Sequence, residues 1–142
     1  MPFIGRGVQD TIARDRAFNA AHESTRAGIE AEAQRKGWKL TKPVHHDPVA
    51  RRTVHEFANS THSIAVIHSG AERMTCIVGR SAPSEDQHTR NLAAISDAMK
   101  GAKFLGTGIT HGGRHVHHYQ TPTHDVLVAH IGNEMTTYSK PR

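Results

Sequence analysis

Residues 52–70 and 114–132 are two copies of one segment, and this repetition limits the fold more than any other feature of the chain. At a constant shift of 62, Arg52 meets Arg114, Val54 meets Val116, His55 meets His117, Thr61 meets Thr123, His62 meets His124, Val66 meets Val128, His68 meets His130 and Gly70 meets Gly132. Those are eight identities over nineteen ungapped positions. Phe57 with Tyr119 and Ile64 with Val126 are conservative. Met74-Thr75 meets Met135-Thr136 after a one-residue deletion, and a shift of 64 aligns Lys36-Gly37-Trp38-Lys39-Leu40 with Lys100-Gly101-Ala102-Lys103-Phe104. A helix end followed by strands in the same order is the signature of a duplicated unit.

Local signals define that unit. From Val8 to about Lys36 the residues favour helix, with Val8, Ile12, Ala13, Phe18, Ala20, Ile29 and Ala33 on roughly one face; Gly37 stops it, and Ser24-Thr25 divide it into two helices. Trp38–Thr41 is a short strand, and the two prolines of Pro43–Pro48 predict a loop. Thr53–Ala58 and Thr61–His68 read as a hairpin about Asn59-Ser60, and Glu72–Val78 as a third strand. Thr89–Lys100 is helical with Leu92, Ile95 and Met99 inward. Lys103-Phe104-Leu105 is a strand, Gly106–Gly113 a glycine-rich loop, His115–Gln120 and Thr123–His130 a second hairpin, and Glu134–Ser139 the last strand. The expected fold class is α+β: two tandem helix, short strand, hairpin, strand repeats related by a pseudo-twofold axis, with one antiparallel sheet and helices on one face. The expected boundaries are 1–25 for an N-terminal helical extension, 26–80 for the first repeat, 81–88 for a linker and 89–142 for the second repeat, all within one compact domain.

Charge and cysteine usage bear on function. A formal charge of +5 over 142 residues favours a polyanionic partner, although the basic residues are scattered rather than gathered into an arm. Cys76 is alone, so no internal disulfide forms, and its apolar surroundings make it an inert thiol. No apolar stretch reaches the length of a membrane span. The expected location is the cytoplasm or an assembled particle, with no membrane partner.

In a hairpin with a two-residue turn, His55, Phe57, His62, Ile64, Val66 and His68 share a face, as do His115, His117, Tyr119, His124, Val126, Val128 and His130 in the second copy. His62 and His68 stand about 20 Å apart along a strand, too far to share an ion, and Glu56 and Asp125 point to the other face. No metal and no cofactor is therefore expected. Two readings of the histidines remain: packed, hydrogen-bonded residues, or proton-transfer groups, since imidazole titrates near neutrality and can take a proton from a ribose 2′-hydroxyl.

Gly37-Trp38-Lys39-Leu40, Ser60-Thr61-His62, the strands to Val78 and the helix from Thr89 together resemble the order of the small HicA-type ribonuclease toxins over about 65 residues. That resemblance implies a double-stranded-RNA-binding-like fold and catalytic roles for His62 and His124. The chain departs from the pattern in lacking a glycine before Thr61 or Thr123, in its extra strand and proline loop, and in its duplication. The leading expectation is a small basic nucleic-acid-binding protein, RNA-directed, with histidine-dependent ribonuclease activity as its enzymatic form. Arg51, Arg52, Arg114, His55 and His117 are the expected contacts to nucleic acid. The alternative is a non-enzymatic interaction or assembly protein, such as a phage particle component or an inhibitor of a host factor, that uses the repeated face as an interface to a protein partner or to itself.

Overall fold

A computed structural model describes residues 2–142, and the side chains from Gly7 onward. The elements are α1 (Pro2–Lys36), β1 (Lys39–Leu40), β2 (His45–Asp47), β3 (Arg52–Ala58), β4 (His62–Ser69), β5 (Glu72–Gly79), α2 (Gln87–Ala98), β6 (Lys103–Ile109), β7 (His115–Gln120), β8 (His124–Ile131) and β9 (Glu134–Pro141). The fold is α+β with one antiparallel nine-stranded sheet. Strand order is β1-β3-β4-β5-β9-β8-β7-β6, and β2 pairs with the outer part of β3. The sheet runs unbroken through both halves because β5 and β9 pair, Arg73 opposite Ser139 through Val78 opposite Glu134.

Strand alternation puts His55, Val66, Thr75, Thr137, Val128 and His117 in one row across six strands. On that face Ile29 and Ala33 of α1 pack against Phe57, Ile64 and Val66, with Trp38 beside them. Ile95 of α2 packs against Val126 and Val128, with Met99, Tyr119 and Met135 beside it. Each large apolar side chain so buried contributes roughly 1.5–3 kcal/mol. An ion pair fastens α1 as well: Arg73 Nη2 lies 2.8 Å from Glu32 Oε2, and Lys36 Nζ lies 2.9 Å from Oε1. Burial raises the Glu32 carboxyl, and these two cations outweigh it and hold the carboxyl below its ordinary value.

Several expectations are corrected. α1 is a single helix, because the Thr25 hydroxyl bonds the Ala21 carbonyl inside it at 2.7 Å instead of capping a second one. Its first half, from Gly7 to Ala17, is exposed, so Val8 and Ile12 lie outside the core. The proline loop contains β2, whose three residues pair with Val54–Arg52 while Pro43 and Pro48 stand outside the ladder. The first hairpin closes through Asn59 N–H to the His62 carbonyl, two residues wider than a two-residue turn. The face is preserved, but His55 opposes Val66. The second hairpin closes likewise through Thr121 and His124. Gly106–Ile109 belongs to β6, an edge strand with a bulge between Phe104 and Gly106, where φ of 152° suits glycine. α2 begins two residues early and turns Asn91, not Leu92, inward. The third strands need no deletion, since Ser69 opposite Glu72 and Ile131 opposite Glu134 keep the shift at 62. Between Gly37 and α2 the chain makes five strands that continue into the second half, which is not a separate double-stranded-RNA-binding-like unit.

Among the described residues, no helix is long and apolar enough to cross a membrane.

Candidate functional site

The repeated histidines divide into two sets with different surroundings. In the first half, His55 Nε2 lies 3.1 Å from His68 Nε2. The ring of His22, from α1, lies tilted with its centre 4.6 Å from that of His68, and the Thr53 hydroxyl bridges His22 Nε2 at 3.1 Å and His46 Nδ1 at 2.8 Å. In the second half, His117 Nε2 lies 3.0 Å from His130 Nε2, and the rings of His88 and His115 stand 5.3 and 5.4 Å from that of His130. Burial, followed by the neighbouring imidazoles, pushes His68 and His130 down to about 4 and lowers His117, while burial and then the Arg26 charge lower His55. All four are therefore neutral at pH 7. His55 is 0% exposed and His117 is 9% exposed, so neither offers a surface to nucleic acid; both are packing residues.

His62 and His124 are placed otherwise, half-buried at strand ends. Thr61 Oγ1 lies 3.2 Å from Asn59 Oδ1 and 2.7 Å from His62 Nδ1. With the hydroxyl hydrogen on Asn59, Nδ1–H donates to Thr61 and the Nε2 lone pair is open to another proton. His62 lines a groove of about 420 Å³ between α2 and the ends of β4, β5 and β9, together with Ser84, Gln87, Arg90, Asn91 and Asn133. Thr123 Oγ1 holds His124 Nδ1 at 2.8 Å, but His124 lines none of the described grooves. His62 opposes Gly79 and His124 opposes Pro141, at opposite ends of the antiparallel β5–β9 pair, so the two histidines do not form a dyad.

The expected arginines are dispersed. Arg51 adopts φ of 53°, pairs with Asp15 at 3.3 Å and lies over the Phe18 ring; Arg52 is exposed; Arg114 pairs with Glu134 at 3.1 Å. Two basic residues that motif reasoning passed over stand nearer His62. Arg90 lines its groove, and the Arg80 N–H donates to the Thr61 carbonyl, as that of Arg142 does to Thr123. The signal for Arg80 and Arg142 was their separation of 62. That for His22 and His88 was the seven-residue spacing each keeps from Ile29 and Ile95.

Among the described residues, no three His, Cys, Asp or Glu side chains are arranged to hold a metal ion. Comparison of the chain with protein-family models, curated proteins and solved structures finds no match.

Proposed function

We propose that this is an RNA-directed nucleic-acid-binding protein built from two copies of one unit, with a histidine-dependent cleavage site in the groove at His62. The observation that carries the reading is the Thr61 hydroxyl 2.7 Å from His62 Nδ1 at the edge of the groove. With Nδ1–H held by Thr61, Nε2 is a base able to accept the proton of a ribose 2′-hydroxyl, which DNA lacks. Arg90 is the phosphate partner. Its present contact, 3.0 Å to Asp86, is an exposed ion pair of the kind worth at most about 1 kcal/mol, so a phosphate can draw it away. Arg80, whose N–H donates to the Thr61 carbonyl, adds positive charge at the same strand end, and His124 is the relic or second site of the other copy.

Duplication and a pseudo-twofold axis are supported by the registers. Thr53 opposite His68 recurs as His115 opposite His130, and His62 opposite Gly79 recurs as His124 opposite Pro141. Thr75 pairs with Thr137, its own counterpart at a shift of 62, which puts the axis through that pair.

The test is fluorescence anisotropy of a labelled single-stranded RNA at low salt, with gel analysis of the RNA. The expected result is binding that weakens as salt rises, and cleavage abolished in His62→Ala with binding retained. Absence of binding to single- and double-stranded RNA and DNA at low salt overturns the reading. A second reading, the non-enzymatic assembly protein, is favoured by the exposed first half of α1, where Val8 and Ile12 are uncovered. A stoichiometric co-purifying protein whose binding is lost on removal of residues 1–17 would select it.

A further inference from the structure

The face of the sheet opposite the helices is divided into a ridge and a trough. Ile67, Met74, Tyr138 and Leu127 stand in one row across β4, β5, β9 and β8. Ala65, Cys76, Thr136 and Ala129 stand in the parallel row two residues away on the same strands. Every large residue of the first row thus has a small residue of the second on its own strand. The halves achieve this by opposite choices: Ala65 then Ile67 along β4, but Leu127 then Ala129 along β8. An antiparallel sheet covered on one side ordinarily turns polar residues outward on the other. Here Met74 is 40% and Leu127 39% exposed, and neither helix reaches them.

We infer that this face docks a second copy of the same chain, turned over about an axis that runs parallel to the row His55–Val66–Thr75–Thr137–Val128–His117 and about 5 Å outside the face away from the helices. That rotation carries each strand onto its own image with direction reversed. Ile67 then meets Ala65, Met74 meets Cys76, Tyr138 meets Thr136 and Leu127 meets Ala129 of the second copy, ridge into trough on both sides. At the rim Lys140 comes opposite Glu134 of the second copy, one ion pair on each side. Seven strands of six to eight residues, about 4.8 Å apart and about 20 Å long, present roughly 700 Å² per copy, close to the ~800 Å² per partner of a stable interface. The outcome is a two-sheet sandwich with helices outside, and it leaves the His62 groove, on the helix side, open.

The experiment measures the mass of the full chain by size exclusion with light scattering. The expected wild-type mass is twice 15.6 kDa. Leu127→Arg or Met74→Arg is expected to weaken dimerisation at least tenfold, with the circular dichroism of the folded chain retained. Under mild oxidation Met74→Cys is expected to give a disulfide-linked dimer with Cys76 of the second copy, whereas the wild type, whose Cys76 faces Met74, gives none. A monomeric wild type overturns the proposal. So does a dimer that survives both arginines, a dimer of Met74→Cys that fails to cross-link, or efficient cross-linking of the wild type; the cross-linking arm decides even if the arginine variants do not fold.

Discussion

Asn91 places one amide nitrogen 2.8 Å from the Gly132 carbonyl and 3.2 Å from His130 Nδ1. The amide must donate to the carbonyl, so the same nitrogen donates to Nδ1, and neutral His130 carries its hydrogen on Nε2, where it donates to His117. One asparagine therefore sets the tautomers of two buried histidines. At the corresponding helical position of the first half stands Thr25, which bonds its own helix, and there Nδ1 of His22, His55 and His68 are buried without partners.

Replacing Asn91 by leucine keeps the branched shape and leaves His130 Nδ1 and the Gly132 carbonyl unpaired. The expected loss is about 2–6 kcal/mol, from two unsatisfied groups at about 1–3 kcal/mol each. Urea unfolding checks it. Thr25→Val, which removes only a helix-internal bond, is expected to cost under about 1 kcal/mol, and an equal loss in both variants would contradict the asymmetry.

Acid stability follows from His68 and His130. Each holds about 4 when folded and 6.5 when unfolded, so between those values the unfolded chain binds more protons. Stability is then complete above pH 6.5 and falls as pH drops toward 4, by on the order of 3 kcal/mol per histidine across the window. Melting temperature measured from pH 8 to pH 4 should be flat at first and then decline. A melting temperature that rises on acidification through this window would be incompatible with neutral buried imidazoles.

The strand pattern was legible because burial alternates with a period of two: Phe57, Ile64, Val66, Val126 and Val128 could be assigned to one face before any coordinates. Register was not, because a hairpin two residues wider conserves the face while changing every partner, and only the Asn59 side chain, accepting from the Thr61 and His62 N–H groups, selects the wider loop. The histidine clusters were half legible. His55, His68, His117 and His130 repeat at one shift, whereas His22 and His88 join them from helices aligned at a different shift, which a single-offset comparison cannot detect. The groove at His62 was illegible, since it exists only where α2 crosses strands distant in sequence.

Turn glycines offer a matched test of the two halves. Gly70 has φ of 58° and Gly132 of 53°, each between the second and third strand of its half. Alanine at either is expected to cost about 1–2 kcal/mol through the left-handed backbone alone. An added Cβ would stand 3.4 Å from the Phe18 ring at Gly70 and 3.6 Å from Pro83 at Gly132, so neither adds a clash. Thermal unfolding should give similar losses, and a difference above about 1 kcal/mol would break the equivalence of the two turns.

Thr61→Val separates a positioned histidine from a merely present one. Valine keeps the shape but removes the acceptor that fixes Nδ1–H, so the His62 ring is free to turn and to exchange tautomers. RNA affinity, carried by arginines, should hold within about twofold. Single-turnover cleavage should fall about tenfold or more, part of the roughly 10²–10⁴ that a positioned general base supplies. Thr123→Val makes the identical change beside His124, which lines no described groove, and is expected to leave cleavage unaltered. If Thr123→Val slows cleavage as much as Thr61→Val, the working histidine is not confined to the α2 groove and both strand ends must be active; if neither change slows it, the hydroxyl–imidazole bond has no part in catalysis.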